Sequence, residues 1–252
     1  MNRLTSASTL LASPAPAVAR AQRPQLHKDH SAPPHCLLAP QHYEKNYAYP
    51  LVVWLHPTGG DERELRQVMP LISLRNYASA AVRGPAVLRA GYDWPQTLGG
   101  IGMAETRVAE AASQAKLRFN VHDGRVYLLG YEAGGTMAIR LALRNPRLYA
   151  GAVSLNGPFP AGHAPLARLP QLRQSRILIS HCRDSETYTT DRICRELALF
   201  HAAGMSATLR QYPCSDELTT QMLSDVDGWL MEQITGERSD AEPQDALPGE
   251  WN

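Results

Sequence analysis

The sequence predicts an α/β fold in which a mostly parallel sheet carries helices on both faces. Short runs of β-type residues alternate regularly with longer helical stretches through the middle of the chain. Several of these runs are continuously apolar, as strands buried on both faces are. The 252 residues, 44% apolar and 19% charged, are enough for one large domain. Regular alternation of strand and helix is typical of an open parallel sheet.

Residue composition predicts the individual strands and helices, and proline and glycine mark where two of the helices end. Six predicted strands are rich in apolar and β-branched residues, and they cover residues 51–55 (LVVWL), 78–82 (ASAAV), 125–129 (RVYLL), 151–155 (GAVSL), 176–180 (RILIS) and 207–212 (ATLRQY). Five predicted helices cover residues 62–74, 103–118, 133–144, 190–203 and 219–234. Pro146 stops the third helix and Gly204 the fourth, because these residue types end helices.

The two ends of the chain differ from the middle in composition. Residues 1–40 are rich in Ala, Pro, Ser and His and lack periodicity, which predicts a flexible N-terminal tail. Residues 236–252 are acidic and aperiodic, which predicts a flexible C-terminal tail. The predicted domain therefore spans residues 41–235. Because the chain is acid-poor and rich in Arg, Ser and Ala up to Asp29, an organelle transit peptide is an open alternative to a cytoplasmic location.

Charge, hydropathy and cysteine content narrow the class of protein. The formal net charge of +1 gives no reason to expect nucleic acid as a partner. No run of about 18 apolar residues is present, so no membrane span is predicted. Cys36, Cys182, Cys194 and Cys214 lack the paired spacing of a zinc site, which indicates reduced thiols and a cytoplasmic protein. Cys182 and Cys214 fall on two adjacent loops, where ordinary packing and a redox role are both open.

Candidate functional residues lie in the loops that follow the predicted strands. Ligands of open α/β sheets bind beyond the carboxyl ends of the strands. Four such loops contain polar or glycine-rich sequence: HPTGG at 56–60, YEAGG at 131–135, HCRDSET at 181–187 and PCSDE at 213–217. The second loop joins a strand to a helix, which is where the hydrolases of one large fold keep their nucleophile.

These loops resemble those of the phospholipase/carboxylesterase group of α/β-hydrolases, which includes acyl-protein thioesterases. VVWLHPTGGDE is similar to the group's strand that ends in His-Gly-x-Gly-Gly-Asp-Glu, and LLGYEAGGTMA is similar to its nucleophile elbow. ILISHCRDSETY is similar to its acid-bearing loop, and AAGMSATLRQYPCSDEL to the segment that ends in the catalytic histidine. The resemblance covers nearly all of residues 42–235 and implies the α/β-hydrolase fold and an esterase-like hydrolase.

The residues at the triad positions of this resemblance differ from the group's pattern. Glu132 stands in the position of the serine, and Asp216 in that of the histidine. Ser185 occupies the acid position, with Asp184 one residue before it. Serine and histidine are both required for an acyl-enzyme mechanism. The resemblance therefore implies a catalytically degenerate esterase, or pseudoenzyme, that keeps a cleft for a small-molecule ligand or a protein partner, with its oligomeric state open.

An active enzyme is the alternative. Haloalkane dehalogenases and epoxide hydrolases, which are also α/β-hydrolases, use an aspartate at the elbow as nucleophile. Glu132 would then act as nucleophile or as general base. Such a mechanism also needs a proton acceptor, for which His56, His163 and His181 are candidates.

Two carboxylates as close as the resemblance places Glu132 and Asp216 cannot both stay charged cheaply. They would share a proton or hold a cation, either Arg183 or an ion such as Mg²⁺ or Ca²⁺. In the simplest interpretation, Glu132 accepts backbone N–H groups at its helix N-terminus. We predict neither a metal nor a cofactor.

The remaining candidates would shape the cleft. Backbone amides for an oxyanion hole are expected from Thr58, Gly59 and Ala133. The side chains expected at the cleft are His56, in a structural role, and Tyr92, Trp94 and His181.

Overall fold

A computed structural model describes residues 35–236 and shows a seven-stranded sheet. The strands of this sheet are β1 His35–Leu38, β2 Tyr49–Leu55, β3 Ala78–Val82, β6 Val121–Tyr131, β7 Gly151–Leu155, β8 Arg176–Cys182 and β9 Ala207–Tyr212. Their order across the sheet is β1-β3-β2-β6-β7-β8-β9, in which β1 runs antiparallel to β3 and every other neighbouring pair is parallel. A small hairpin pairs β4 Ala86–Val87 with β5 Tyr92–Asp93.

Helices connect the parallel strands. They are α1 Leu65–Ile72, α2 Leu98–Arg118, α3 Ala133–Arg144, α4 Leu169–Leu172, α5 Thr190–Ala202 and α6 Thr220–Thr235, with a 3₁₀ turn at Glu62–Glu64. All six predicted strands and all five predicted helices are confirmed. β1, the hairpin and α4 were not predicted, because elements of four residues or fewer show too little periodicity.

The sheet is buried on both faces, as the continuously apolar strands predicted. Every residue of β2 is buried, and alternate side chains enter two different cores. Leu51, Val53 and Leu55 pack with α2, α3 and α5 on one face. Val52 and Trp54 pack with α1 and α6 on the opposite face. The predicted fold class, a mostly parallel sheet with helices on both faces, is confirmed.

The predicted tails lie mostly outside the described residues. The exception is His35–Leu38, which the sequence analysis placed in the N-terminal tail and which forms the edge strand β1. No helix within residues 35–236 has the length and apolar character that crossing a membrane requires. The domain limits and the cytoplasmic location stay predictions.

Close packing of glycines holds the start of α3 against the sheet. A Cβ atom on Gly134 would lie 2.1 Å from the carbonyl oxygen of Leu55 in β2. A Cβ atom on Gly130, the penultimate residue of β6, would lie 2.3 Å from the carbonyl carbon of Gly134. The backbones of β2, β6 and α3 therefore approach more closely than any residue with a side chain permits.

Gly134→Ala tests this packing. The added methyl group meets backbone rather than a flexible side chain, so we expect the free energy of unfolding to fall by about 1–3 kcal/mol or more. Gly228→Ala in α6 is the matched control, because a Cβ atom there meets nothing within 4 Å. It should stabilise the helix by about 0.5–1 kcal/mol. Urea denaturation measures both, and equal effects of the two substitutions would contradict the packing.

Candidate functional site

Glu132 occupies a strained turn between β6 and α3, here called the elbow (residues 130–135). Its backbone has φ 48° and ψ −117°, a combination that residues with side chains rarely adopt. Two backbone hydrogen bonds hold it: the Glu132 amide donates to Leu155 O at 2.9 Å, and Thr136 N donates to Glu132 O at 3.0 Å. The turn directs the half-buried glutamate toward the loops beyond the carboxyl ends of the strands.

The Glu132 side chain lines the cleft and does not cap its helix. Its carboxylate makes no capping hydrogen bond to α3, so the simplest interpretation of the sequence was wrong. It contacts Tyr131 instead. Burial raises the pKa of the Tyr131 phenol, and the charge and a hydrogen bond of Glu132 raise it further. The protonated phenol donates to the carbonyl oxygen of Asp216 at 2.9 Å, and so joins the elbow to the loop after β9.

Asp216 lies in a cradle of neutral donors. Its Oδ1 accepts hydrogen bonds from Asn156 Nδ2 at 2.8 Å, from Thr187 Oγ1 at 2.8 Å and from Ser185 Oγ. Burial raises the pKa of Asp216, but these hydrogen bonds and one from the Glu186 amide outweigh burial and hold it below its ordinary value. Near neutral pH Asp216 is therefore an ionised carboxylate whose charge these neutral donors stabilise.

Ser185, and not Asp184, contacts Asp216. The buried Ser185 hydroxyl donates to the Asp216 carboxylate and accepts from the amide of Tyr188 at 2.9 Å. Asp184 is exposed and accepts instead from Arg183 Nε at 3.3 Å. Arg183, which the sequence offered as a cation between Glu132 and Asp216, is thus paired with its neighbour in the chain.

The loop after β2 supplies one side of the cleft. The Gly59 amide donates to Tyr92 O at 2.8 Å, so it serves the loop and is not directed at a ligand. Thr58 and Ala133 both line the cleft. Because Ala133 begins α3, its amide is among those to which a helix gives no acceptor. Of the predicted oxyanion donors, the structure brings Thr58 and Ala133 together at the cleft.

His56 and His181 are buried, hydrogen-bond to backbone atoms and do not line the cleft. His56 Nδ1 donates to Pro57 O at 2.8 Å and its Nε2 accepts from the Gly84 amide at 2.9 Å, while burial lowers its pKa. His181 Nε2 donates to Tyr188 O at 2.8 Å, and its Nδ1 accepts from Gln211 at 3.2 Å. Both ring nitrogens of each histidine are therefore engaged in hydrogen bonds within the fold.

Of the two aromatic side chains predicted at the cleft, Trp94 lines it and Tyr92 does not. Trp94 lines the cleft, and its Nε1 donates to His56 O at 2.7 Å. Tyr92 packs below the Arg83 guanidinium, whose carbon lies 4.5 Å from the ring centroid, and contributes nothing to the cleft wall. His163 lies on an exposed turn with φ 54°.

The cleft holds about 600 Å³ and includes residues that the sequence analysis missed. Asn156 follows β7 directly, so the rule that ligands bind beyond strand ends could have found it. Thr187 ends the candidate loop 181–187 but was not singled out there. Arg192 lies in the first turn of α5, and Gln96 and Phe159 come from longer connections, so these three carry no comparable signal. The charged groups in the wall are Asp93, Glu132 and Arg192. No three His, Cys, Asp or Glu side chains in the described part of the chain cluster as metal ligands would.

A buried arginine supports the cleft wall from below. Arg140, on α3, is 1% exposed and donates to Gln96 Oε1 at 2.6 Å. It also donates to the carbonyl oxygens of Ala161 at 2.6 Å and Gly162 at 3.1 Å. Since Gln96 and Ala161 line the cleft, Arg140 fixes two connections of its rim to the helix that begins at the elbow.

Several solved structures, two of them of carboxylesterases, are similar to this one. The Bacillus cereus carboxylesterase matches with a TM-score of 0.65 at 17% identity, covering 79% of this chain and 93% of that protein. A Mesorhizobium loti carboxylesterase matches with a TM-score of 0.63 at 22% identity, covering 73% of this chain and 90% of that protein. Arabidopsis thaliana SOBER1 matches with a TM-score of 0.60 at 17% identity, covering 74% of this chain and 100% of that protein. No protein-family model matches the sequence. The sheet topology and these likenesses show that the chain has the α/β-hydrolase fold.

Proposed function

We propose that this protein is a catalytically degenerate, esterase-like α/β-hydrolase that binds a small molecule in its cleft. The observation that carries the proposal is the state of Asp216. In the position that the resemblance gives to the catalytic base, the chain has a carboxylate that already accepts hydrogen bonds from Asn156, Ser185 and Thr187.

Asp216 is unsuited to proton transfer near neutral pH. A general acid or base works best when its pKa lies near the working pH. The hydrogen bonds to Asp216 hold its pKa below the ordinary value of an aspartate, so it has no proton to give and little tendency to take one. Among the described residues that line the cleft, none is a histidine that could take its place.

Glu132 does not replace a serine under these conditions. Attack of its carboxylate on an ester would form an acid anhydride with the chain and expel the alcohol. Release of the acid would then need a water molecule activated by a base. Asp216 is a weak base, and His56 and His181 have both ring nitrogens in hydrogen bonds.

The cleft itself remains suited to a ligand. Trp94 and Phe159 offer apolar surface, and Gln96 and Thr136 offer polar groups. Asp93 and Glu132 contribute two carboxylates, whereas the guanidinium in the wall, Arg192, is paired with Glu196 at 3.0 Å. This balance favours a neutral or cationic ligand over an anionic one.

An active hydrolase is the second candidate. One observation favours it: the strained elbow backbone still directs the side chain of Glu132 into the cleft, as a nucleophile would need. Strain of this kind clusters at functional sites. The second candidate uses Glu132 as nucleophile or as general base toward water.

Hydrolysis of a short-chain activated ester, p-nitrophenyl acetate, separates the two candidates. We expect the purified natural protein and Glu132→Gln to release p-nitrophenol equally slowly, at the rate of an unrelated protein of similar size. A faster rate in the natural protein that Glu132→Gln abolishes would contradict degeneracy and establish the second candidate.

Restoring the missing groups provides the positive control. Because Ser185 contacts Asp216, the triple change Glu132→Ser, Ser185→Asp and Asp216→His would recreate a nucleophile, a base and its orienting acid. We expect this variant to exceed the natural protein by about 10²-fold, the range of general base catalysis. The variant that keeps Ser185 tests the contribution of the orienting acid.

The cradle of Asp216 also predicts a pH dependence of stability. A lowered folded-state pKa stabilises the fold above the unfolded-state value, and this contribution is lost as pH falls through the folded-state value. Asp216→Asn should cost about 1–3 kcal/mol near pH 7. The difference from the natural protein should shrink toward pH ~3. Urea denaturation across this range measures it, with the exposed Asp184→Asn as control; a constant difference would contradict the cradle.

A further inference from the structure

Two thiols face each other beside the Asp216 cradle. Cys182 ends β8 and is fully buried, and Cys214 lies two residues after the end of β9 and is half-buried. Their sulfur atoms are 2.9 Å apart and no disulfide joins them. No other pair of cysteines in residues 35–236 has a sulfur–sulfur contact of this kind.

The backbone around the pair suits a cross-link. Arg183 N donates to Tyr212 O at 2.9 Å, and Asp184 N donates to Cys214 O at 3.0 Å, so the parallel pairing of β8 and β9 continues into both loops. In this register Cys182 lies opposite Tyr212, and the Cys214 amide donates back to Tyr212 O at 2.9 Å, a tight turn that brings Cys214 beside Cys182. A sulfur–sulfur bond is about 2.0 Å long, so the two sulfur atoms need to approach each other by less than about 1 Å, which side-chain rotation can provide.

We propose that Cys182 and Cys214 form a reversible disulfide that ties the loop of Ser185 and Thr187 to the loop of Asp216. The oxidant is a small-molecule disulfide. The Cys214 thiol, the more accessible of the two, loses its proton and attacks one sulfur of the oxidant, which releases one small thiol. Cys182 then loses its proton and attacks the Cys214 sulfur, releasing the second small thiol. The protein loses two electrons and two protons, and the oxidant gains them.

The bond acts on the cradle through short connections. In the reduced protein, Cys182 Sγ donates to the carbonyl oxygen of Glu217 at 3.6 Å, directly after Asp216. On the other side, Ser185 N donates to Cys182 O at 3.1 Å. Oxidation removes the thiol donor and fixes both loops covalently, so the hydroxyl of Ser185 and the carboxylate of Asp216 become held at one separation.

Burial makes this a slow switch. It raises the pKa of both thiols, so only a small fraction of thiolate is present near neutral pH. Exchange is therefore slow, and the pair closes as the oxidised form of the small thiol accumulates. This behaviour does not depend on whether the cleft catalyses a reaction.

Equilibration of the full-length protein with mixtures of oxidised and reduced glutathione tests the proposal. After thiols are blocked, peptide mass spectrometry should show Cys182 and Cys214 joined in one cross-linked pair that dithiothreitol separates. The cross-link closes a loop across a sequence separation of 32 residues. It should raise the Tm by roughly 5–10 °C.

Variants assign the effect to this pair. Cys214→Ser should abolish both the cross-link and the rise in Tm. Cys194→Ser, at an exposed position on α5, should preserve both. The natural protein alone decides the chemistry: a stable mixed disulfide of Cys214 with glutathione, or two cysteines that remain separately alkylated in the most oxidising mixture, would overturn the proposal even if Cys214→Ser failed to fold.

Discussion

The backbone of Glu132 is the constraint on which the site depends. A residue with a side chain adopts φ 48° and ψ −117° only when its surroundings impose it. Three close backbone contacts impose this conformation. Gly134 lies against Leu55 in β2, and Gly130 lies against α3. Gly157 packs against the elbow itself, since a Cβ atom there would lie 2.2 Å from Glu132 O. These contacts fix the start of α3 and direct whatever side chain stands at 132 into the cleft, independently of its chemistry.

A second, polar constraint holds the opposite side of the cleft. Asn156, which also has a positive φ of 50°, donates to Asp216 and accepts from the amide of Cys182 at 3.3 Å. Together with Ser185 and Thr187, it satisfies a partly buried carboxylate with neutral groups. Buried polar groups with complete sets of partners rigidify a site. The arrangement stabilises an anion at rest, whereas hydrolysis requires a group that exchanges a proton.

The sheet and its helices could be predicted from the sequence because burial on both faces produces apolar runs such as LVVWL. The start of α2 could not. It begins at Leu98, where the Thr97 hydroxyl accepts a hydrogen bond from Gly100 N at 3.1 Å. Three of its first five residues are glycines, whose low helix propensity predicts no helix there. The edge strand β1 was assigned to the tail because its four residues depend on pairing with β3.

The site was predictable only where chain order determines position. Glu132 follows its strand directly, so its place in the cleft followed from the elbow pattern. The bonding of His181, which faces Tyr188 O instead of the cleft, and of Gly59, which donates to Tyr92 O, depends on side-chain and loop geometry that sequence spacing does not contain. The same holds for the contact between Cys182 and Cys214, whose loops are adjacent by topology but whose sulfur separation only the structure shows.

The central claim is that the elbow glutamate no longer takes part in hydrolysis. Prolonged incubation with an activated ester in water enriched in ¹⁸O tests it most directly, because water that opens a Glu132 anhydride at the glutamate's own carbonyl leaves ¹⁸O in that side chain. Our account predicts no acid product above that of the unrelated protein and no ¹⁸O in the peptide that contains Glu132. Product above that level would contradict the account. Label in Glu132 would identify it as the nucleophile, and loss of the product in Glu132→Gln would identify it as nucleophile or base.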